Sequence, residues 1–307
     1  MTSLRPPLTI GLNNFDASPT LDSCDRWIAE AQRAEQAGFD RLVVVDHVVM
    51  GDQLDAYDGG RFPTGPDGSW VEPLTLLALL SGVTSTIRLS TGILIAGLRP
   101  GALLAKTAAS IDVASKGRLD LGVGIGWQSE EYEAMGLEFS KRGRLLDDVL
   151  EVCQALWTNS PATVTTETVS FGPTWCHPTP VQPGGVPLWI SGRIHPATLR
   201  RMVRFGSGWI PWGEYQRDVL KGVEEIRIAF EQAGRSFDGF QIRGSIIVST
   251  DANKELDVAA TFQNVEEHLE GGVSDFAVYG AISNDTHEAE AMLGALVEGF
   301  NARTGRT

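Results

Sequence analysis

Three cysteines in 307 residues, Cys24, Cys153 and Cys176, are odd in number and widely separated. That excludes a disulfide framework, and the absence of any Cys-x-x-Cys pair argues against a zinc or iron–sulfur site. Histidine is scarce too. His47, His177, His195, His268 and His287 are scattered, and no His-x-x-x-His occurs, so no metal site is expected. Basic residues are outnumbered, giving a net charge of −14, which repels nucleic acid and anionic lipid. Long apolar runs are missing, and the opening stretch MTSLRPPLTIGL has neither the basic start nor the apolar core of a signal peptide. A cytoplasmic protein with no membrane and no nucleic-acid partner is expected. There is also no Gly-x-Ser-x-Gly elbow on which to seat a serine nucleophile.

What is present is a repeated strand and helix rhythm. Leu8 to Leu12 reads as a buried strand, and a helix is expected from about Asp22 to Ala37, with Trp27, Ile28, Ala31 and Ala34 on one face and Gly38 closing it. Arg41 to Val45 is a second strand, ending in Asp46-His47. Ile87 to Ile95 is a third, with Gly92 inside it, where glycine signals a bulge or a close approach to the backbone. Gly117 to Gly126 is a fourth, running into glycines at 122, 124 and 126. Ser129 and the acidic residues after it then suit the first turn of a helix. Arg142 to Trp157 is strongly amphipathic. Thr163 to Phe171 and the proline-rich run to Pro187 read as an inserted hairpin and loop. The rhythm resumes with strands at Leu188–Ser191, Gly208–Pro211, Gln241–Ser249 and Asp275–Tyr279. Helices are expected at Pro196–Phe205, Tyr215–Ala233, Asn253–Glu270 and Thr286–Ala302.

Eight strands alternating with helices define an α/β chain of the (β/α)8 TIM-barrel class, with the insertion between strands 4 and 5. No linker divides the chain, so one domain spanning 1–307 is expected. The glycines 122, 124 and 126 do not form a dinucleotide fingerprint. The third is misplaced, and the acidic residues some twenty positions on, Asp147, Asp148 and Glu151, fall in a helix. They either form the lip of a cofactor seat or merely let strand and helix pack closely.

In such barrels the active site lies at the C-terminal strand ends. Asn13, Asp46, His47, Gly92, Gly126, Trp127, Ser191, Gly192, Trp212 and Tyr279 all fall there. His47 is the catalytic candidate, being the side chain able to move a proton near neutral pH. Asp46 beside it is placed to hold the imidazole or to contact a cofactor. The irregular, Gly/Asp/Pro-rich segment from Val48 to Val71, carrying Tyr57 and Trp70, is expected to be a lid or wall over a small-molecule site. Aromatics, glycines and one acid–base group at a barrel mouth fit a bound organic cofactor.

The segments Gly38-Phe-Asp40 with Val45-Asp-His47, Ser90-Thr-Gly-Ile93, Gly117 through Gly136, Arg142-Gly-Arg144, Trp189-Ile-Ser-Gly192 and Gly206-Ser-Gly-Trp209 resemble the bacterial luciferase-like superfamily. Within it they resemble the group using the deazaflavin coenzyme F420. The resemblance implies a barrel with the cofactor ring at its mouth and a bulged third strand with a non-prolyl cis peptide at Gly92-Ile93. It also implies ring contacts from Asp46, His47, Gly92, Ile93, Leu94, Gly126 and Trp127, and a phosphate-binding turn at Ser191, Gly192 and Arg193. A homodimer is implied as well. One departure is Trp127, which stands where some deazaflavin-dependent sugar-phosphate dehydrogenases of the superfamily carry a glutamate proton donor. Glu130 and Glu131 lie a turn further on and are expected to face solvent.

Three functions follow as expectations. The first is an F420-dependent oxidoreductase moving a hydride to or from a small organic substrate. The second is an FMN-dependent monooxygenase on the same barrel, and the third is a non-catalytic flavin-binding barrel.

Overall fold

The computed structural model describes residues 5–21, 23–280, 282–283 and 285–305. Its first half runs β1 (Leu8–Gly11), β2 (Phe15–Asp16), α1 (Asp25–Ala37), β3 (Arg41–Val44), β4 (Ser69–Trp70), α2 (Pro73–Val83), β5 (Arg88–Ile95), α3 (Gly101–Ala114), β6 (Leu119–Gly124), α4 (Ser129–Ala134) and α5 (Arg142–Thr158). The second half follows as β7 (Ala162–Thr165), β8 (Ser170–Thr174), β9 (Leu188–Gly192), α6 (Pro196–Phe205), β10 (Gly206–Pro211), α7 (Val219–Gln232), β11 (Gln241–Ile247), α8 (Val258–Thr261), α9 (Val265–Glu270), β12 (Asp275–Tyr279) and α10 (Thr286–Thr304). Eight of these strands close into a parallel barrel in the order β1, β12, β11, β10, β9, β6, β5, β3, with β3 returning to β1. This is the (β/α)8 architecture expected from the alternation. The inserted hairpin is β7 paired antiparallel with β8, between the fourth and fifth barrel strands.

The barrel strands are buried on both faces because helices cover them outside and their side chains, a set of paired charges among them, fill the interior. All four residues of β1 and of β3 and all six of β6 are buried. Helix α1 lays Trp27, Ala31 and Ala34 inward and ends on Gly38, whose left-handed φ of 97° closes it. Its expected start at Asp22 lies outside the described residues.

Two expected helices are interrupted. Tyr215 belongs to a single turn, Gly213–Gln216, because its ring packs on Trp209 with centroids 5.8 Å apart and its hydroxyl reaches Glu225; α7 begins only at Val219. Residues 253–257 are not helical. The Asp251 carboxylate accepts the amides of Asn253 (2.8 Å) and Glu255 (3.0 Å), a local turn that competes with helix formation. Asp257 then caps α8 through the Ala260 amide.

The third barrel strand, β5, is bulged. Its pairing with β6 shifts register between Thr91 and Leu94, and the Gly92–Ile93 peptide is cis, as the resemblance implied. Gly122 answers that bulge: a Cβ there would stand 2.1 Å from the Thr91 carbonyl oxygen. Its glycine is required by the neighbouring strand.

Candidate active site

A cavity of about 240 Å³ opens at the C-terminal ends of the barrel strands. It is walled by Asp46 and His47 after β3, Gly92, Ile93 and Ile95 of β5, Gly126 and Trp127 after β6, and Trp212 after β10. The remaining wall comes from Phe15, Val45 and, in the 48–71 segment, Tyr57, Phe62, Pro63 and Trp70. That segment is a built wall. Ser69–Trp70 pairs antiparallel with Phe15–Asp16, and the Phe15 and Trp70 rings stack at 4.5 Å. Asn14 fixes its base, donating to the Val45 and Val71 carbonyls and accepting the Val45 amide.

His47 stands edge-on to three of these rings, Trp70 at 4.7 Å, Phe62 at 5.4 Å and Trp127 at 5.8 Å between centroids. The imidazole is held by Glu131. Nδ1 lies 3.1 Å from one oxygen of that carboxylate, and the other oxygen accepts the Val48 amide at 2.9 Å. Glu131 is fully buried, so the expectation that it faces solvent is corrected: the 48–51 segment folds over it, with Gln128 accepting the Gly51 amide. With Nδ1–H donated to a carboxylate, the neutral imidazole presents the Nε2 lone pair, and Nε2 has no protein partner among the described residues.

Asp46 does not hold the imidazole. Its buried carboxylate takes both terminal nitrogens of Arg99 (2.7 and 3.0 Å) and the Ile95 amide (2.8 Å), clamping the end of the bulged strand. Arg99 in turn binds Glu72 at 2.8 Å, and these two carboxylates outweigh burial in raising its pKa. Asp46 therefore lines the cavity without offering it a free oxygen.

The structure brings Gly92, Ile93, Gly126 and Trp127 to the cavity wall and leaves Leu94 buried in the barrel core. Gly126 adopts a left-handed φ of 66°, the turn that carries the chain from β6 toward α4. Ser191, Gly192 and Arg193 lie beside the cavity, outside its lining. Arg193 reaches back across the mouth to Asp58 of the 48–71 segment at 2.6 Å and to Glu214 at 3.1 Å. Asp58 also accepts the Trp212 indole N–H at 2.8 Å. Tyr57 next to it is kept neutral, burial and then the Asp58 charge pushing its phenol pKa up. Asn13 and Tyr279 are not part of this wall; the Asn13 carbonyl accepts the Trp27 indole N–H. Sequence reasoning missed Glu131, Arg99, Asn14, Phe62 and Asp58. The only signal for Glu131 was its position in the first turn after a strand end.

Among the described residues no three His, Cys, Asp or Glu side chains cluster as a metal site, and no helix is long and apolar enough to cross a membrane.

Fold and cavity together define a barrel protein with an aromatic-lined cavity at its C-terminal mouth and one histidine in the wall. More particularly, the chain belongs to the luciferase-like monooxygenase family, whose model matches residues 10–297. An uncharacterised Mycobacterium tuberculosis protein is 33% identical over 67% of this chain and 74% of its own length. The phthiodiolone/phenolphthiodiolone dimycocerosates ketoreductase of the same organism is 30% identical over 68% of this chain and 53% of its own. Among solved structures, an F420-dependent secondary alcohol dehydrogenase in complex with an F420–acetone adduct superposes with a TM-score of 0.77. It is 17% identical and covers 98% of this chain and 99% of that one.

Proposed function

We propose that the chain is an oxidoreductase that binds coenzyme F420 at the barrel mouth and moves a hydride to or from a small, uncharged organic substrate, an alcohol or its carbonyl. The observation that carries this is the His47–Glu131 pair, set in an aromatic cavity against the Gly92–Ile93 bulge.

The residues present fit a planar redox ring. Flat aromatic faces and bare backbone make up most of the cavity wall, and a buried guanidinium with unpaired nitrogens, that of Arg243, lies beneath Gly92. When bound, the coenzyme supplies hydride chemistry, which no side chain can. The chain's own residues handle the rest. His47 Nε2 takes the hydroxyl proton as an alcohol is oxidised, or returns it as a carbonyl is reduced. Glu131 fixes the tautomer that makes Nε2 an acceptor and stabilises the imidazolium once it forms. Trp70, Trp127, Phe62 and Tyr57 exclude water. The Ser191–Arg193 turn and the start of α6 are assigned the anionic tail, with Arg193 as the charge-assisted donor.

The apolar lining and the commitment of Asp46 to Arg99 favour an uncharged substrate over a sugar phosphate. A relative that is a ketoreductase and a structural neighbour that is a secondary alcohol dehydrogenase support alcohol and carbonyl chemistry. The family description supports a second reading, an FMN-dependent monooxygenase on the same site. Titrating the purified protein with F420 and with FMN, followed by fluorescence, separates the two. Micromolar F420 binding supports the first reading; FMN binding without F420 binding replaces it with the second.

A further inference from the structure

Under the floor of the cavity the barrel interior is charged. Asp120 accepts from Arg41 at 2.9 Å and from Arg88 at 2.8 and 2.7 Å. Asp275 accepts the Arg243 Nε at 2.5 Å and a short bond from Arg41. Arg41 and Arg243 both pack on the Trp189 indole, their guanidinium carbons 4.8 and 4.5 Å from the ring centroid. Three arginines share two carboxylates here, and the surplus is not spread evenly. Arg88 reaches partial solvent and Gln182, whereas Arg243 is fully buried and its Nη1 and Nη2 have no acceptor at bonding geometry among the described residues.

Two orphaned donors on a buried cation are costly, and in native structures such groups call for an explanation. Their location supplies one. Arg243 Nη1 lies 3.9 Å from the position a Cβ on Gly92 would occupy, and Gly92 is part of the cavity wall. The Tyr279 hydroxyl lies near the same guanidinium, outside bonding geometry; burial, and after it the Asp275 charge, raise its phenol pKa more than the nearby Arg243 lowers it. Asp275, which Arg243 shares with Arg41, pairs with the guanidinium through Nε alone.

We propose that Arg243 sets the redox balance of the cofactor, its only partly compensated charge favouring the electron-rich state of a planar ring lying on the Gly92–Ile93 floor. The proposal rests on the reading of the site as a redox-ring seat. A hydride leaving a substrate C–H bond carries two electrons and one proton onto the ring, while the substrate's hydroxyl proton goes to His47. A ring accepting that hydride would gain one net negative charge, which a buried cation beneath it would stabilise. Arg243 acts from below the floor as a positioning charge; it is not a group that touches substrate.

The test measures the affinities of oxidised F420 and of dithionite-reduced F420, and of FMN in both states, for wild type, Arg243→Lys, Arg243→Met and Asp275→Asn. Wild type is expected to prefer the reduced form. Arg243→Met loses at least tenfold of that preference, a potential about 30 mV lower for a two-electron couple, and Arg243→Lys keeps most of it. Asp275→Asn, which removes a carboxylate, shifts the ratio the opposite way. A purely structural role for Arg243 weakens both forms equally, and an unchanged ratio in Arg243→Met, or in Arg243→Lys and Asp275→Asn should the Met variant not fold, overturns the proposal. If wild type binds neither coenzyme, the site reading itself falls, an outcome distinct from an unchanged ratio.

Discussion

His47 and Glu131, 84 positions apart in sequence, meet at 3.1 Å because the chain after β3 and the first turn of α4 converge at the barrel mouth. Glutamine at 131 can still accept the Val48 amide, but its NH2 group would face Nδ1 and force the proton onto Nε2, the wrong tautomer for a base. Glu131→Gln is expected to lower kcat about 10–100-fold, in the range for outer-shell partners of a functional histidine, with coenzyme affinity nearly unchanged. His47→Ala is expected to lose about 10²–10⁴-fold, and the double variant little more, since the two act as a unit. Steady-state kinetics on the three variants checks this; additive losses would show that the pair is not coupled.

Asp46 serves the strand end more than the reaction. Removing its carboxylate leaves Arg99, only 13% exposed, with Glu72 as its remaining carboxylate and the Ile95 amide without its acceptor. Asp46→Ala is expected to destabilise the fold by about 3 kcal/mol, near the low end for breaking a buried pair because Glu72 persists. Urea unfolding measures it, and a midpoint matching wild type would contradict the assigned role.

The Asp58 contacts with Arg193 and Trp212 draw the 48–71 segment over the mouth, and the resulting cavity is smaller than the ~300–1,000 Å³ typical of ligand pockets. Asp58→Asn leaves Arg193 with Glu214 as its remaining carboxylate and makes it more available to an anionic tail. Because both partners are about half exposed, the pair is worth no more than about 1 kcal/mol. Coenzyme affinity is expected to rise by up to about fivefold, with steeper salt dependence as Arg193 turns to the ligand. Titrations at two ionic strengths read both effects.

Far from the mouth, one Glu35 oxygen accepts the amides of Ser85, Thr86 and Ile87 and the Thr86 hydroxyl. Burial opposes its ionisation, but these donors outweigh it and hold the pKa below the ordinary value. A depressed folded-state pKa contributes stability above the unfolded value of about 4.3 and loses it as pH falls through the folded value. Glu35→Ala should therefore lower Tm at pH 7, with the gap to wild type narrowing below about pH 4 and activity retained. Thermal melts across that range provide the check.

The barrel was legible because its signal is repetitive: each buried strand and amphipathic helix carries its own periodicity, and the pattern broke at Tyr215, at the 253–257 turn and at 262–264, where the expected Asn253–Glu270 helix divides into α8 and α9. His47 was legible as a rare residue at a strand end. Glu131 was not, because an acid in a helix's first turn is ordinarily solvated there, and its burial depends on a segment some eighty residues earlier folding over it. Gly122 looked like part of a cofactor lip, yet the Thr91 carbonyl is what excludes a side chain there. Contacts between strands distant in sequence decide such positions, and local pattern does not encode them.

A crystal structure of the protein soaked with F420 tests the central claim most directly. The account predicts the ring across the barrel mouth against Gly92 and Ile93, with His47 Nε2 facing the reacting edge and Arg193 turned from Asp58 toward the tail. A ring bound elsewhere, or His47 directed away from it, would contradict the account.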